Sequence, residues 1–233
     1  MKKKYDVKTL AFKGGGASLT SELSLQVYDN FLENCHYDRI QKIAAKYEHF
    51  KLIQNIPGDI VECGVHYGSG VYLYSKLLKI FKPNSLSKVV GFDFFEKNRK
   101  IKSKFKEDKI AIDEHKTTHP SKEKILKNLK KLDINNVELI SGDVSKSTKV
   151  YVKNNLGFRI SLLILDVDNY EGTLYALKNL YDNVVRGGVI VFDEYSLRTY
   201  GESDAVDQFF KDKKLHLKNY DWCSTPSAYC VKE

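Results

Sequence analysis

Residues 162–195 read LLILDVDNYEGTLYALKNLYDNVVRGGVIVFDEY. Two short apolar runs lie within this stretch, and each ends in carboxylates. Residues 162–165 run into Asp166 and Asp168; residues 189–192 run into Asp193 and Glu194. A short apolar run bounded by turn signals fits a strand buried on both faces, as in a parallel sheet. Between the runs, Leu174, Leu177, Tyr181 and Val184 recur at helical spacing, and Gly187 and Gly188 supply a C-terminal stop. This is one β-α-β unit of about 30 residues. Its crossover brings both strand C-termini to one edge of the sheet, where open α/β sheets bind ligands. The four carboxylates are therefore expected in a polar site able to hold a cation.

At 233 residues the chain has room for one sizeable α/β domain, or at most two small ones. A hydrophobic content of 42% with 12% aromatics excludes a disordered chain. The apolar runs fall far short of the roughly 20 residues that a membrane span needs. The N-terminus MKKKYDVKTLAFKGGG is basic but has no apolar segment or small-residue cleavage site, so no secretory leader is expected. Cys35, Cys63, Cys223 and Cys230 are scattered without metal-ligand spacing, which suits free thiols and a cytoplasmic location. The net charge of +8 is local. Residues 97–131 hold 13 Lys and Arg against 5 Asp and Glu, and the remainder is balanced. A general nucleic-acid coat is disfavoured; a solvated helical surface, or a basic rim for an anionic acceptor, accounts for the excess.

Along the chain, residues 1–17 form a Lys- and Gly-rich arm, and residues 18–55 carry helical spacing. Strands are expected at 60–65, 88–92 and 137–140, with closing strands at 215–220 and 228–232. Helices are expected at 72–81, 121–132, from 143 to 155, and at 204–210. Alternating strands and helices across 56–195 argue for a doubly wound, mostly parallel sheet. Residues 1–55 thus precede a domain at 56–233 that carries the basic insertion 97–131.

The first strand leads into Glu62-Cys-Gly-Val-His-Tyr-Gly-Ser-Gly, with Gly64, Gly68 and Gly70 in a GxxxGxG spacing. A dinucleotide loop reads GxGxxG and aims a helix start at a pyrophosphate. The Glu62 carboxylate would repel a pyrophosphate but suits an ammonium group. S-adenosylmethionine carries such an ammonium and no phosphate. Asp93, ending the second strand, is placed to accept from ribose hydroxyls. Asp143, after the third, lies where an adenine amino group would be. An acidic residue at strand end after strand end is the specific part of this pattern.

IPGDIVECGVHYGSG, VVGFDFFE, the 165–195 stretch LDVDNYEGTLYALKNLYDNVVRGGVIVFDEY and the trailing ESDAVDQFF resemble the macrocin O-methyltransferase family over residues 18–215. The resemblance implies an S-adenosylmethionine-dependent, Mg²⁺-assisted O-methyltransferase of deoxysugars or related glycan and secondary-metabolite groups. It implies a seven-stranded, Rossmann-like class I fold, an N-terminal helical lid and homo-oligomers. By motif, Glu62, Gly64, Gly68 and Gly70 would contact the methionine moiety, with Ser69 offering a backbone N–H, and Asp93 would hold the ribose. Asp166 would be general base and Mg²⁺ ligand, joined by Asp193 and Glu194. The chain departs from the family pattern at Glu194, usually Asp, at Val167, usually Gly, and at His66-Tyr67, usually Trp-Arg. Tyr170 and Tyr195 are candidates for shaping a sugar pocket. An RNA methyltransferase and a non-catalytic binding module on the same fold are the alternatives.

Overall fold

The computed structural model describes residues 21–95, 103, 105–114 and 121–233. Strands β1 (Asp59–Cys63), β2 (Val89–Asp93), β3 (Val137–Ser141), β4 (Ile160–Leu165), β5 (Val184–Phe192) and β6 (Ala228–Val231) form one sheet in the order β3-β2-β1-β4-β5-β6. Every neighbouring pair is parallel except β5 with β6. The helices are α1 (Ser21–Asn34), α2 (Tyr37–Ile53), α3 (Ser69–Phe81), α4 (Lys106–Glu114), α5 (Lys122–Lys131), α6 (Val144–Asn154), α7 (Tyr170–Leu180) and α8 (Glu202–Phe210). This is the doubly wound α/β fold that the alternating pattern implies.

Successive strand residues feed opposite cores. In β4, Leu163 and Leu165 pack with Tyr151 of α6, Leu177 of α7 and Val206 of α8. Leu162 and Ile164 pack instead with Phe50 of α2, Tyr74 of α3 and Ile125 of α5. Every residue of β4 is buried, because helices cover both faces and no side needs to be polar. Each such leucine or isoleucine contributes roughly 1.5–3 kcal/mol.

Two expectations change in the C-terminal half. Gly187 and Gly188 do not end α7: that helix stops at Leu180, a 3₁₀ turn spans Tyr181–Asn183, and Val184 opens β5. The glycines sit inside β5, where Ile160 pairs with Val184 but Leu162 pairs with Val189, so the strand bulges between them. Gly187 adopts φ +79°, and a Cβ on Gly188 would lie 2.9 Å from the Val185 carbonyl oxygen. Tyr181 and Val184 keep the helical spacing because both still pack into the core beneath α7. The strand expected at 215–220 is reduced to one antiparallel bridge between Lys218 and Tyr229. A turn closed by the Cys223 N–H on the Tyr220 carbonyl (3.0 Å) takes the chain away before a ladder forms. Six strands stand among the described residues, against the seven expected.

Helix α2 belongs to the core of the sheet. Phe50 and Ile53 are fully buried and share a cluster with Ile60 and Val89. Helix α1 is different, with Leu25, Val27, Tyr28 and Leu32 all exposed. The 1–17 arm and residues 96–102 and 115–120 of the basic segment lie outside the described residues.

His49 of α2 lies with its ring 5.3 Å from that of Tyr220 and 5.0 Å from that of Tyr229, and neither ring nitrogen has a hydrogen-bond partner. Burial, helped by nearby Lys46, pushes its pKa down from 6.5 to about 4. Between those values the unfolded chain binds a proton that the folded one refuses, so this group lowers stability as pH falls through the window. His49→Phe removes the liability without breaking a hydrogen bond. Urea unfolding should show the variant gaining about 2 kcal/mol over the wild type on going from pH 7 to pH 5; a constant difference would refute the assignment.

Candidate active site

The C-terminal ends of the parallel strands surround a cavity of about 760 Å³. Of the residues expected there, Gly64, Ser69, Asp93, Asp143, Asp166, Asp193 and Glu194 line it. Glu62, Gly68 and Gly70 do not; they shape the turn from behind. A Cβ on Gly70 would lie 1.7 Å from Glu62 Oε1, so the missing side chain makes room for that carboxylate. Glu62 is 2% exposed and lies 3.4 Å from the Lys46 ammonium. Burial raises its pKa, while Lys46 and the Val71 N–H hold it down. The sequence places Glu62 against the ligand. The structure places it under the turn, because β1 points that side chain into the α2–α3 layer.

Gly64 serves a second close approach. It adopts φ +94°, and a Cβ there would lie 1.6 Å from the Asp166 carbonyl oxygen. The ends of β1 and β4 can therefore touch, which sets the cofactor turn beside the acidic loop. Gly68, at φ +82°, caps the start of α3, whose first residue, Ser69, lines the cavity. Asp93 accepts from the His66 N–H at 2.8 Å and the Phe94 N–H at 2.6 Å, which fixes the carboxylate at the cavity wall. Asp143 caps α6 by accepting from the Ser145 N–H at 2.9 Å.

The acidic side is built by the β4 and β5 loops. Oxygens of Asp166, Asp168 and Glu194 all lie within 4.8 Å of one another. Asp193, whose charge also acts on Asp166, is not in this set of three and meets the Lys42 ammonium at 3.0 Å. The trio expected from sequence is Asp166, Asp193 and Glu194; the structure gathers Asp168 in place of Asp193. Asp168 can turn inward because its backbone takes a left-handed φ of +57°. Asn169 caps α7 through the Gly172 N–H at 2.7 Å, so neither aspartate is spent on capping.

Crowding sets the electrostatics. Burial raises the pKa of Asp166 well above the usual carboxylate range, and Asp193 and Asp168 add to it. Glu194 is raised by burial and then by Asp168 and Asp166. Its Oε2 is buried with no hydrogen-bond partner, and one of its carboxylate oxygens belongs to the group of three. Such a set fits a hard divalent cation. Burial would lower Lys42, but Asp193 and Asp166 outweigh it and raise its pKa.

The macrocin-O-methyltransferase (TylF) profile matches residues 36–226. The chain belongs to this family. It is 26% identical over 167 residues to demethyldecarbamoylnovobiocin O-methyltransferase of Streptomyces niveus, covering 66% of this chain and 59% of that protein. It therefore spans less than two thirds of that relative's length. In fold it is similar to the calicheamicin methyltransferase CalS11, with TM-score 0.75, 19% identity and coverage of 89% and 85% of the two chains. It is also similar to the O-methyltransferase NovP, with TM-score 0.70, 23% identity and coverage of 83% and 80%. The class I methyltransferase fold follows from these likenesses.

Within this macrocin O-methyltransferase relative, several site residues are not legible in the sequence. Arg39, Lys42 and Lys46 of α2 reach the cavity; their only signal is a cationic row on a helix whose later face is buried. Glu202 of α8 is fully buried and accepts from the Glu194 N–H at 2.9 Å, fixing that residue's backbone. Tyr170 and Tyr195 do not line the cavity. Tyr170 is buried with its hydroxyl on Gln208, and the Tyr195 hydroxyl donates to Asp207. Tyr175 and Tyr200 line it instead.

The least expected group is Asp108 of α4, a fully buried acid within the basic segment. It accepts from the Gly201 N–H at 2.7 Å, the Tyr170 N–H at 2.9 Å and the Ser103 hydroxyl at 2.7 Å. It thereby ties this segment to the starts of α7 and α8, just beyond Asp168 and Glu194. Asp108→Ala leaves two buried N–H groups without acceptors, and should cost on the order of 3 kcal/mol in urea unfolding. A loss below about 1 kcal/mol, no more than one ordinary hydrogen bond, would show that the tie does not hold the loops. Gly70→Ala should abolish S-adenosylmethionine binding in calorimetry, because the Glu62 carboxylate occupies the space the methyl needs; unchanged affinity would show that the turn can yield.

Proposed function

We propose that this protein is an S-adenosylmethionine-dependent O-methyltransferase. Its acceptor is a hydroxyl of a sugar or sugar-like intermediate in secondary-metabolite or surface-polysaccharide assembly. The observation that carries the reading is the sharing of one cavity by the glycine turn after β1 and the carboxylate group after β4 and β5. Family membership supports the reaction class. The relative whose name specifies O-methylation of a novobiocin precursor supports a natural-product acceptor. The cavity is large enough for a cofactor with an acceptor beside it, and free thiols at all four cysteines suit a reducing cytoplasm.

In this reading the N–H groups at the start of α3, beginning at Ser69, receive the methionine carboxylate. Gly64 lets the backbone approach it. Asp93 keeps acceptor capacity for ribose hydroxyls, since each carboxylate oxygen can take more than one hydrogen bond. Asp143 faces the adenine amino group.

Methyl transfer is an in-line displacement: the acceptor oxygen forms the new C–O bond as the C–S bond of the sulfonium breaks. Holding donor and acceptor in line supplies much of the rate. Asp166 takes the hydroxyl proton as general base. Asp166, Asp168 and Glu194 would hold a Mg²⁺ ion, which when bound polarises and orients the acceptor oxygen. Asp193, matched to the family motif, stays close by as the partner of Lys42.

The test is label transfer from S-adenosylmethionine to a panel of nucleotide-linked and polysaccharide sugars, with Mg²⁺ or with EDTA. Asp166→Asn should lower the rate by about 10²–10⁴ while cofactor affinity holds. Transfer to RNA in preference to every sugar would replace this reading with that of an RNA methyltransferase. Full activity of Asp166→Asn would remove the general base.

A further inference from the structure

The four strand-end carboxylates stand on two separate loops. Asp166 and Asp168 precede α7, and Asp193 and Glu194 open the chain that leads to α8. Both helices begin against one buried acid. Asp108 of α4 accepts from the N–H of Tyr170, the first residue of α7, and from the N–H of Gly201, which caps α8. Gly201 has no side chain to cap α8 itself, so the carboxylate comes from a distant segment. The approach is close: a Cβ on Gly201 would lie 3.1 Å from both Asp108 oxygens and 2.8 Å from the Tyr170 Cβ. Asp108 does not line the cavity. It reaches the acidic loops through these two helix starts.

We propose that Asp108 is a positioning residue of the acceptor half. By holding the starts of α7 and α8 together it sets the spacing between the carboxylates after β4 and those after β5. The inference rests on the reading of that acidic group as the seat of a divalent cation. Two short paths carry the effect. On the α7 side, Tyr170 follows the capping residue Asn169, and Asp168 comes just before it at φ +57°. On the α8 side, Glu202 follows Gly201 and accepts from the Glu194 N–H at 2.9 Å. A shift of either helix start is thus passed to a carboxylate within two residues or one hydrogen bond. Packing reinforces the junction. Phe105, just before α4, lies with its ring 5.1 Å from that of Tyr170 and packs on the cluster of Tyr170, Leu174 and Ala205. A carboxylate suits the place, because the N-terminal ends of both helices favour negative charge. Mg²⁺ demands near-ideal octahedral geometry, so small displacements of its oxygens cost binding.

The experiment compares wild type with Asp108→Asn, Gly201→Ala and Ser103→Ala, each as intact metal-free protein. Mn²⁺ binding is followed by electron paramagnetic resonance, and S-adenosylhomocysteine binding by calorimetry. Asp108→Asn keeps the size of the side chain but turns an amide toward an N–H donor. Gly201→Ala keeps the Asp108 charge and forces the helix start away from it, which separates positioning from loss of a charge. Ser103→Ala removes a third bond to the same carboxylate, 2.7 Å long, that touches neither loop. Asp108→Asn and Gly201→Ala should each weaken Mn²⁺ binding by about 10- to 100-fold, the usual effect of losing a group that orients a metal's ligands. S-adenosylhomocysteine affinity should stay at the wild-type value in every variant, and Ser103→Ala should also keep its Mn²⁺ affinity. Wild-type Mn²⁺ affinity in Asp108→Asn and Gly201→Ala overturns the role of Asp108 alone. Equal losses of Mn²⁺ and S-adenosylhomocysteine affinity in both variants would make Asp108 a general support of the fold, and overturn it also. A loss in Asp108→Asn without one in Gly201→Ala would assign the effect to charge and overturn positioning. Absence of Mn²⁺ binding in the wild type overturns the cation reading itself, and this inference with it.

Discussion

Carboxylates crowded together at one edge of the sheet are the constraint on which the rest of this structure depends. Asp166, Asp168, Asp193, Glu194 and Glu202 crowd the ends of two adjacent strands, where burial and the neighbouring carboxylates raise the pKa of Asp166, Glu194 and Glu202. An isolated buried charge is costly unless it is paired or hydrogen-bonded. Nearly every feature around the site supplies such compensation. Lys42 meets Asp193, and Glu202 is anchored by the Glu194 N–H. A third element, Asp108, secures the starts of the two helices that follow the acidic loops. Asp166, Asp168 and Glu194 keep oxygens within 4.8 Å of one another, a set suited to a cation, and the buried Oε2 of Glu194 has no hydrogen-bond partner.

The cofactor side obeys a different constraint, close approach of backbone to backbone. Gly64 lets β1 touch the carbonyl of Asp166, and Gly70 leaves space for a buried glutamate. These contacts bring the two halves of the cavity together along one edge of the sheet. Helix α2 then closes the arrangement from the N-terminal side. It is packed through Phe50 and Ile53 and charged through Lys42 and Lys46, so one helix serves both the core and the site.

Much of this architecture is legible in the amino-acid sequence. The apolar runs that end in Asp166 and Asp193 mark buried parallel strands, because only a strand covered on both faces can be apolar throughout. The strand-end acids Asp93 and Asp143 lie on the cavity edge, as their positions in the pattern imply. Periodicity misleads at Tyr181 and Val184, where residues leaving α7 still face the same core. It misleads again at Gly187 and Gly188, whose turn chemistry serves a strand bulge rather than a helix end. Glu62 reads as facing the ligand because alternation gives a side chain's face but not the contents of that face.

The order of strands and helices, the edge that carries the chemistry and the family motif are properties of sequence. They rest on local periodicity and on the fixed handedness of β-α-β crossovers. Which carboxylates share a site is decided only by tertiary structure. Asp168 and Asp193 flank the same motif, yet a left-handed backbone turns one into the cation group, and a lysine from a helix 151 residues away takes the other. Electrostatic partners of that kind leave no trace in spacing, because the Coulomb force depends on distance through the fold and not along the chain.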